Sequence, residues 1–118
     1  MNSAAEHFRQ KLEHETDSWD LHDALRRGEN VVVIDARSRQ SFERLHIPGA
    51  VNLPHREMTS EATSTWDKDA AYVVYCDGIG CNASTKGALK LSELGFQVKE
   101  LIGGLDWWTR DGYPLASA

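Results

Sequence analysis

Cys76 and Cys81 are the only cysteines of the chain, and both lie in the stretch "YCDGIGCNAST" (75–85). An apolar run ends just before this stretch and a helical pattern begins just after it. Three chemistries are open to such a segment: a nucleophilic thiol in an anion-binding cradle, part of a metal site, or an ordinary turn. Gly78 and Gly80 permit positive φ, so successive backbone N–H groups can converge on an anion. Asn82 and Ser84 suit the cap of the following helix, whose N-terminus adds positive partial charge. A thiolate is favoured in such surroundings, and the same N–H groups would hold an oxyanionic or sulfur-bearing group attached to it. Cys76 is therefore the candidate nucleophile. Asp77, Gly78, Ile79, Gly80, Cys81 and Asn82 form the candidate substrate-binding loop.

The alternatives are weaker. A buried structural cysteine at a strand end is common. Structural zinc needs a second ligand pair, and the C-x4-C spacing has neither that pair nor a nearby histidine, so no metal is expected. A phosphate-binding loop fails because Lys86 follows Thr85 and no G-x4-G-K-[ST] pattern forms. Cysteine phosphatases place an arginine after the loop to clamp phosphate. Asn82 stands there instead, which removes the main charge stabiliser of phosphoryl transfer.

The elements that must position Cys76 follow from periodicity. Asp17 or Ser18 can cap a helix through Trp19, Leu21, Leu25 and Arg26, ended by Gly28. "VVVIDA" (31–36) reads as a strand covered on both faces, "AVNLP" (50–54) as a short strand after the Pro48–Gly49 turn, and "AAYVVYC" (70–76) as a third, buried strand. "STKGALKLSELGF" (84–96) carries Ala88, Leu91 and Leu94 on one helical face and stops at Gly95, and "QVKELIGG" (97–104) returns as a strand. Strands alternating with helices imply a mostly parallel α/β sheet with helices on both faces. Ligands bind such sheets beyond the carboxyl ends of the strands, where Cys76 falls.

A length of 118 residues fits a single domain, and the net charge of −5 with no dense Lys/Arg cluster speaks against nucleic-acid binding. The opening "MNSAAEHFRQ" has no apolar signal core, and no eighteen apolar residues run together, so neither export nor a membrane span is expected. A cytoplasmic location is the expectation. Two cysteines in such a chain do not make a disulfide framework.

The segments "VVVIDAR" (31–37), "HIPGAVNLP" (46–54), "YVVYC" (72–76), "ALKLSELGF" (88–96) and "LIGGLDWWTRDGYP" (101–114) occur in the order of rhodanese-like domains, which the chain resembles over roughly residues 17–115. The resemblance implies an N-terminal helical extension over 1–16 and one rhodanese-like α/β domain over 17–115. Its parallel sheet would have about five strands, the first short and near Glu15–Thr16. It further implies a sulfurtransferase in which Cys76 carries a persulfide between a small sulfur-containing anion such as thiosulfate and an acceptor such as cyanide, a thiol or a protein thiol, with no cofactor.

Other family-like residues read as structural. Asp35 and Arg37 are expected to lock the turn after their strand, and His46 to orient a turn by hydrogen bonding. Gly103–Gly104 would permit close backbone approach, and one of Trp107 and Trp108 would cover the core while the other faces solvent. His55 and Arg56, past the "NLP" strand, could reach the crevice of Cys76 or sit in a solvated loop.

The chain departs from the common family pattern in several places. The loop reads as about two residues longer than the usual six. It carries Asp77 and no basic residue, which opposes thiolate formation and repels thiosulfate. Ser41 stands before Phe42, and Leu45 before "HIPGA", where the family usually has an acid and a glycine. Cys81 has no counterpart in the common loop; it is either a bystander or a residue that resolves a persulfide on Cys76 by forming a disulfide, if the two Cα atoms come within about 7 Å. Two other functions therefore stay open: a non-catalytic binding or sensing module, and a thiol–disulfide redox protein using Cys76 and Cys81.

Overall fold

The computed structural model describes residues 3–118. Its elements run α1 (Ser3–His14), β1 (Glu15–Thr16), α2 (Ser18–Arg26), β2 (Val31–Asp35), α3 (Arg39–Arg44), β3 (Val51–Asn52), a 3-10 turn (His55–Glu57), β4 (Ala71–Tyr75), α4 (Ala83–Glu93), β5 (Gln97–Leu101) and α5 (Gly104–Arg110). The five strands form one sheet in the order β1-β5-β4-β2-β3, and every pairing is parallel. The expected α/β class and the short first strand at Glu15–Thr16 are both found. Among the described residues no helix is long and apolar enough to cross a membrane.

Alternation along β2 and β4 sends successive side chains to opposite faces, and each face is roofed by helices. Val33, Val73 and Tyr75 pack with Leu21 of α2 and with Leu105 and Trp108 of α5. Ile34, Tyr72 and Val74 pack with Leu91 of α4, Met58 and Phe96. On α4 the inward residues are Ser84, Gly87 and Leu91. A Cβ on Gly87 would stand 3.0 Å from the Met58 methyl, so this glycine lets the helix lie close against the segment before β4.

Asp17 caps α2 by accepting from the backbone N–H of Asp20, and the chain leaves that helix through Gly28 at φ 71°. The sequence pattern did not reveal α3, the 3-10 turn or α5. The first two span six and three residues, too brief for a 3.6-residue period to register. The start of α5 was absorbed in the strand read over 97–104; β5 ends at Leu101, and Gly103 and Gly104 turn the chain into the helix instead. Of the adjacent tryptophans, Trp108 is buried and donates its indole N–H to the Pro114 carbonyl at 2.7 Å, while Trp107 is 42 % exposed. His46 behaves as the structural residue expected: its Nδ1 lies 2.6 Å from the Phe42 carbonyl and its ring stacks on Phe42.

Candidate active site

β2 and β4 lie side by side, but the chain leaves them in opposite directions, β2 toward β3 and β4 toward β5. A crevice opens at such a switch point. Register places Asp35 of β2 opposite both Tyr75 of β4 and Asn52 of β3, so three polar side chains converge at the carboxyl ends of three strands.

They form one network. Asp35 is fully buried and accepts from Arg37 through Nε at 3.0 Å and Nη2 at 2.8 Å, and from the Tyr75 hydroxyl at 2.6 Å. The Tyr75 oxygen in turn accepts from the Ile47 N–H at 3.1 Å. The Asn52 amide donates to the carbonyls of Asp35 and Arg37 at 3.1 and 2.9 Å. Burial and the adjacent Asp35 carboxylate push the Tyr75 phenol far above its usual range. The Arg37 guanidinium is raised despite its burial, because Asp35 bonds and attracts it. Asp35 and Arg37 thus lock the turn after β2, as expected, but Arg37 does more. Its Nη1 reaches Asp77 at 3.1 Å, tying the buried network to the first residue of the loop after Cys76. The carboxylate that looked hostile to a thiolate is therefore paired with a cation.

The loop itself corrects the sequence reading in two respects. Gly78 and Gly80 do not adopt positive φ, so no left-handed nest forms there. A single turn bond from the Cys81 N–H to the Gly78 carbonyl at 3.2 Å shapes the loop instead. Asn82 occupies the cap position of α4 but makes no side-chain capping bond, and Ser84 with Thr85 both donate to Glu100 of β5 at 2.7 Å. Donors toward a ligand remain. Among the described residues no group accepts from the N–H of Gly78, Ile79, Gly80 or Asn82.

The glycines that do use the left-handed region lie across the crevice. Gly103 and Gly104 have φ 80° and 56°, and a Cβ on Gly104 would stand 2.4 Å from the Cys76 carbonyl oxygen and 3.0 Å from the Gly78 nitrogen. This closeness lets the first N–H groups of α5 hold the loop: Leu105 donates to the Cys76 carbonyl at 2.9 Å and Asp106 to that of Asp77 at 2.8 Å. The close approach expected of this glycine pair is found.

Cys76 is buried and Cys81 half-buried, and the two are joined in a disulfide with Cα atoms 6.2 Å apart. The pairing is confined to the loop and is no framework. Both sulfurs and an Asp77 carboxylate oxygen lie within 4.8 Å of one another. Two kinds of cleft flank this loop. One, of about 350 Å³, is lined by Arg37, Pro54, His55, Arg56 and both cysteines, so His55 and Arg56 do reach the crevice. On the other side Cys81 lines, without Cys76, one depression with Leu105, Asp106 and Thr109 and another with Glu15, Glu100 and Ile102. The role of Arg37 at the loop, and the glycines of α5 as its support, were not visible in local sequence because their partners lie far along the chain.

Comparison with known proteins accords with this architecture. A thiosulfate sulfurtransferase GlpE of Actinobacillus succinogenes is 32 % identical over 103 residues, covering 86 % of this chain and 86 % of that protein. An HTH-type transcriptional regulator of Mycobacterium tuberculosis is 34 % identical over 94 residues, covering 77 % of this chain, which spans only 41 % of the regulator's length. Among solved structures, the BH2092 protein from Bacillus halodurans superposes with a TM-score of 0.93 at 36 % identity, covering 98 % of this chain and 85 % of that one. The sequence description of the rhodanese-like domain matches residues 18–111, and the chain belongs to the rhodanese-like domain family.

Proposed function

We propose that the chain is a sulfurtransferase that carries sulfane sulfur on Cys76. The observation that carries this reading is the position of Cys76: it follows the central strand β4, lines a cleft with Arg37, His55 and Arg56, and has beside it a loop in which the N–H groups of Gly78, Ile79, Gly80 and Asn82 have no acceptor among the described residues. The family includes proteins named thiosulfate sulfurtransferase, one of them similar over nearly its whole length. In the reaction the Cys76 thiolate attacks the outer sulfur of thiosulfate and sulfite leaves with the electron pair of the broken S–S bond. The persulfide on Cys76 then yields its outer sulfur to cyanide or a thiol, regenerating the thiolate. Loop residues Asp77 to Asn82 surround the persulfide, and the N–H groups of Gly78, Ile79, Gly80 and Asn82 hold the anion.

The disulfide bears directly on this reaction, because a disulfide-bonded Cys76 has no thiolate to offer. Protein with the Cys76–Cys81 bond intact is expected to be inactive and to gain full activity after treatment with a dithiol. The test is thiocyanate formation from thiosulfate and cyanide by the reduced protein. Turnover that disappears in Cys76→Ser establishes the reading. Reduced wild type that turns over no faster than Cys76→Ser, with thiosulfate or with polysulfide as donor, leaves a binding module.

A second reading, a thiol–disulfide redox protein, is favoured by one observation, the bond between Cys76 and Cys81. A reduction potential near that of the cellular thiol pool, together with no sulfur transfer, would select it.

A further inference from the structure

The two sulfurs of the loop differ in what they face. Cys76 is 2 % exposed and lines the cleft of Arg37, His55 and Arg56, whereas the half-buried Cys81 lines clefts on both sides of the loop. With Cα atoms 6.2 Å apart and a bond already formed, no rearrangement of the fold separates Cys81 from a sulfur chain on Cys76. Such a neighbour acts at an effective concentration that an external acceptor rarely matches.

Resting on the sulfurtransferase reading, we infer that Cys81 discharges the Cys76 persulfide as inorganic sulfide, making the protein a sulfide-releasing reductase of sulfane sulfur that consumes a dithiol. The steps balance. Thiosulfate gives the Cys76 persulfide and sulfite. The Cys81 sulfur attacks Cys76 Sγ, the bond between Cys76 Sγ and the outer sulfur breaks, and the outer sulfur leaves with the electron pair. With the proton of Cys81 it becomes hydrosulfide. The outer sulfur gains two electrons, and the two cysteine sulfurs lose them in forming the disulfide seen in the structure. A dithiol then reopens that bond. Its first thiolate attacks Cys81, which lines the depressions on the far side of the loop where Cys76 does not, and Cys76 departs as the thiolate. The second thiol completes the exchange, and the dithiol ends as its own disulfide.

A single turnover tests this. Reduced protein freed of all small thiols is mixed with thiosulfate, and sulfite, sulfide and intact mass are measured for wild type, Cys81→Ser and Cys76→Ser. Wild type is expected to release sulfite and sulfide in equal amounts and to end two hydrogens lighter than the reduced chain. Cys81→Ser is expected to release sulfite, keep one added sulfur, and yield roughly tenfold less sulfide or lower. Wild type that holds its sulfur as a stable persulfide, or Cys81→Ser that releases as much sulfide as wild type, overturns the role of Cys81 and leaves sulfur transfer standing. No sulfite and no added sulfur on either Cys76-bearing form, with thiosulfate and with polysulfide, removes the underlying reading and the inference with it.

Discussion

The two flanks of the Cys76–Asn82 loop are built from opposite chemistry. Toward β2 and β3 lie Arg37, His55 and Arg56, and Cys76 is reached from that side. Toward α5 and β5 lie Leu105, Asp106, Glu100 and Ile102, beside Ile79, which is 78 % exposed at the loop tip; Cys81 lines that side and Cys76 does not. A chain with net charge −5 can therefore still offer an anionic donor one cation, Arg56, at the cleft that Cys76 lines, Arg37 there being paired with Asp35 and Asp77. Local placement outweighs the total, because at physiological salt charges more than about 8 Å away are largely screened.

The largest disruption of this contrast is expected from Arg37→Met. Arg37 belongs at once to the buried network and to the cationic flank, and its removal leaves Asp35 charged, fully buried and short of its counterion. Breaking a buried pair in this way costs about 3–5 kcal/mol. Urea denaturation should show a loss of that size, and Arg37→Lys a smaller one, because an ammonium keeps the charge without the fork that bonds Asp35, Asp77 and the Leu45 carbonyl together. A loss below about 1 kcal/mol would mean that the network is not what holds the strand ends.

Gly104→Ala attacks the other flank. A left-handed backbone costs a non-glycine residue on the order of 1–3 kcal/mol, and here the new methyl meets the Cys76 carbonyl and the Gly78 nitrogen, both main-chain atoms that cannot swing away. The loop must shift, so sulfur transfer should fall more than stability alone explains. Kinetics at a temperature where the variant remains folded would separate the two. Gly112→Ala, also at positive φ but with open space around its Cβ, should lose stability and leave the rate constant intact.

These two sites also mark what the sequence could and could not reveal. The β-branched run at 31–35 and the buried run at 71–75 announce their strands, because a strand covered on both faces must be apolar throughout. Cys76 at a strand end was legible for the same reason. The partners of Arg37 were not. Asp35 is two residues away, but Asp77 lies forty residues further on, and only the parallel register of β2 and β4 brings them together. The loop glycines show a second limit. Gly78 and Gly80 have permission to be left-handed and do not use it, whereas Gly103 and Gly104 do, because α5 must start against the loop's own carbonyls. Composition states which conformations are allowed; packing selects among them.

Arg56 supplies a gentler test of the flanks. It is exposed and forms no ion pair among the described residues, so its charge is available to a donor. Removing an exposed charge is worth about 0.2–1 kcal/mol. Arg56→Ala should therefore raise KM for thiosulfate up to about fivefold with kcat little changed, an effect that shrinks as salt is added. Asp106→Asn, on the opposite flank, should move KM in the opposite direction and by less. A shift of the same sign from both variants would erase the distinction between the flanks.

The smallest expected effect is the most specific to the cationic side. His55 has a buried Nδ1 with no hydrogen-bond partner, and its carbonyl accepts from Lys90. Desolvation, with Lys90, Lys86 and Arg56 nearby, lowers its pKa below the ordinary histidine value. A folded state that binds this proton less readily than the unfolded chain is favoured above the unfolded value of about 6.5, and that contribution is lost as pH falls below it through the lowered folded value. His55→Gln carries no such group. The stability difference between wild type and His55→Gln should therefore shift against wild type between pH 7.5 and pH 5.5, while the acidic residues common to both proteins cancel. Paired urea titrations at the two pH values measure this directly. A difference that does not change with pH would mean that the cations of this flank are too well screened to act on His55, and an anionic donor would then feel little of them either.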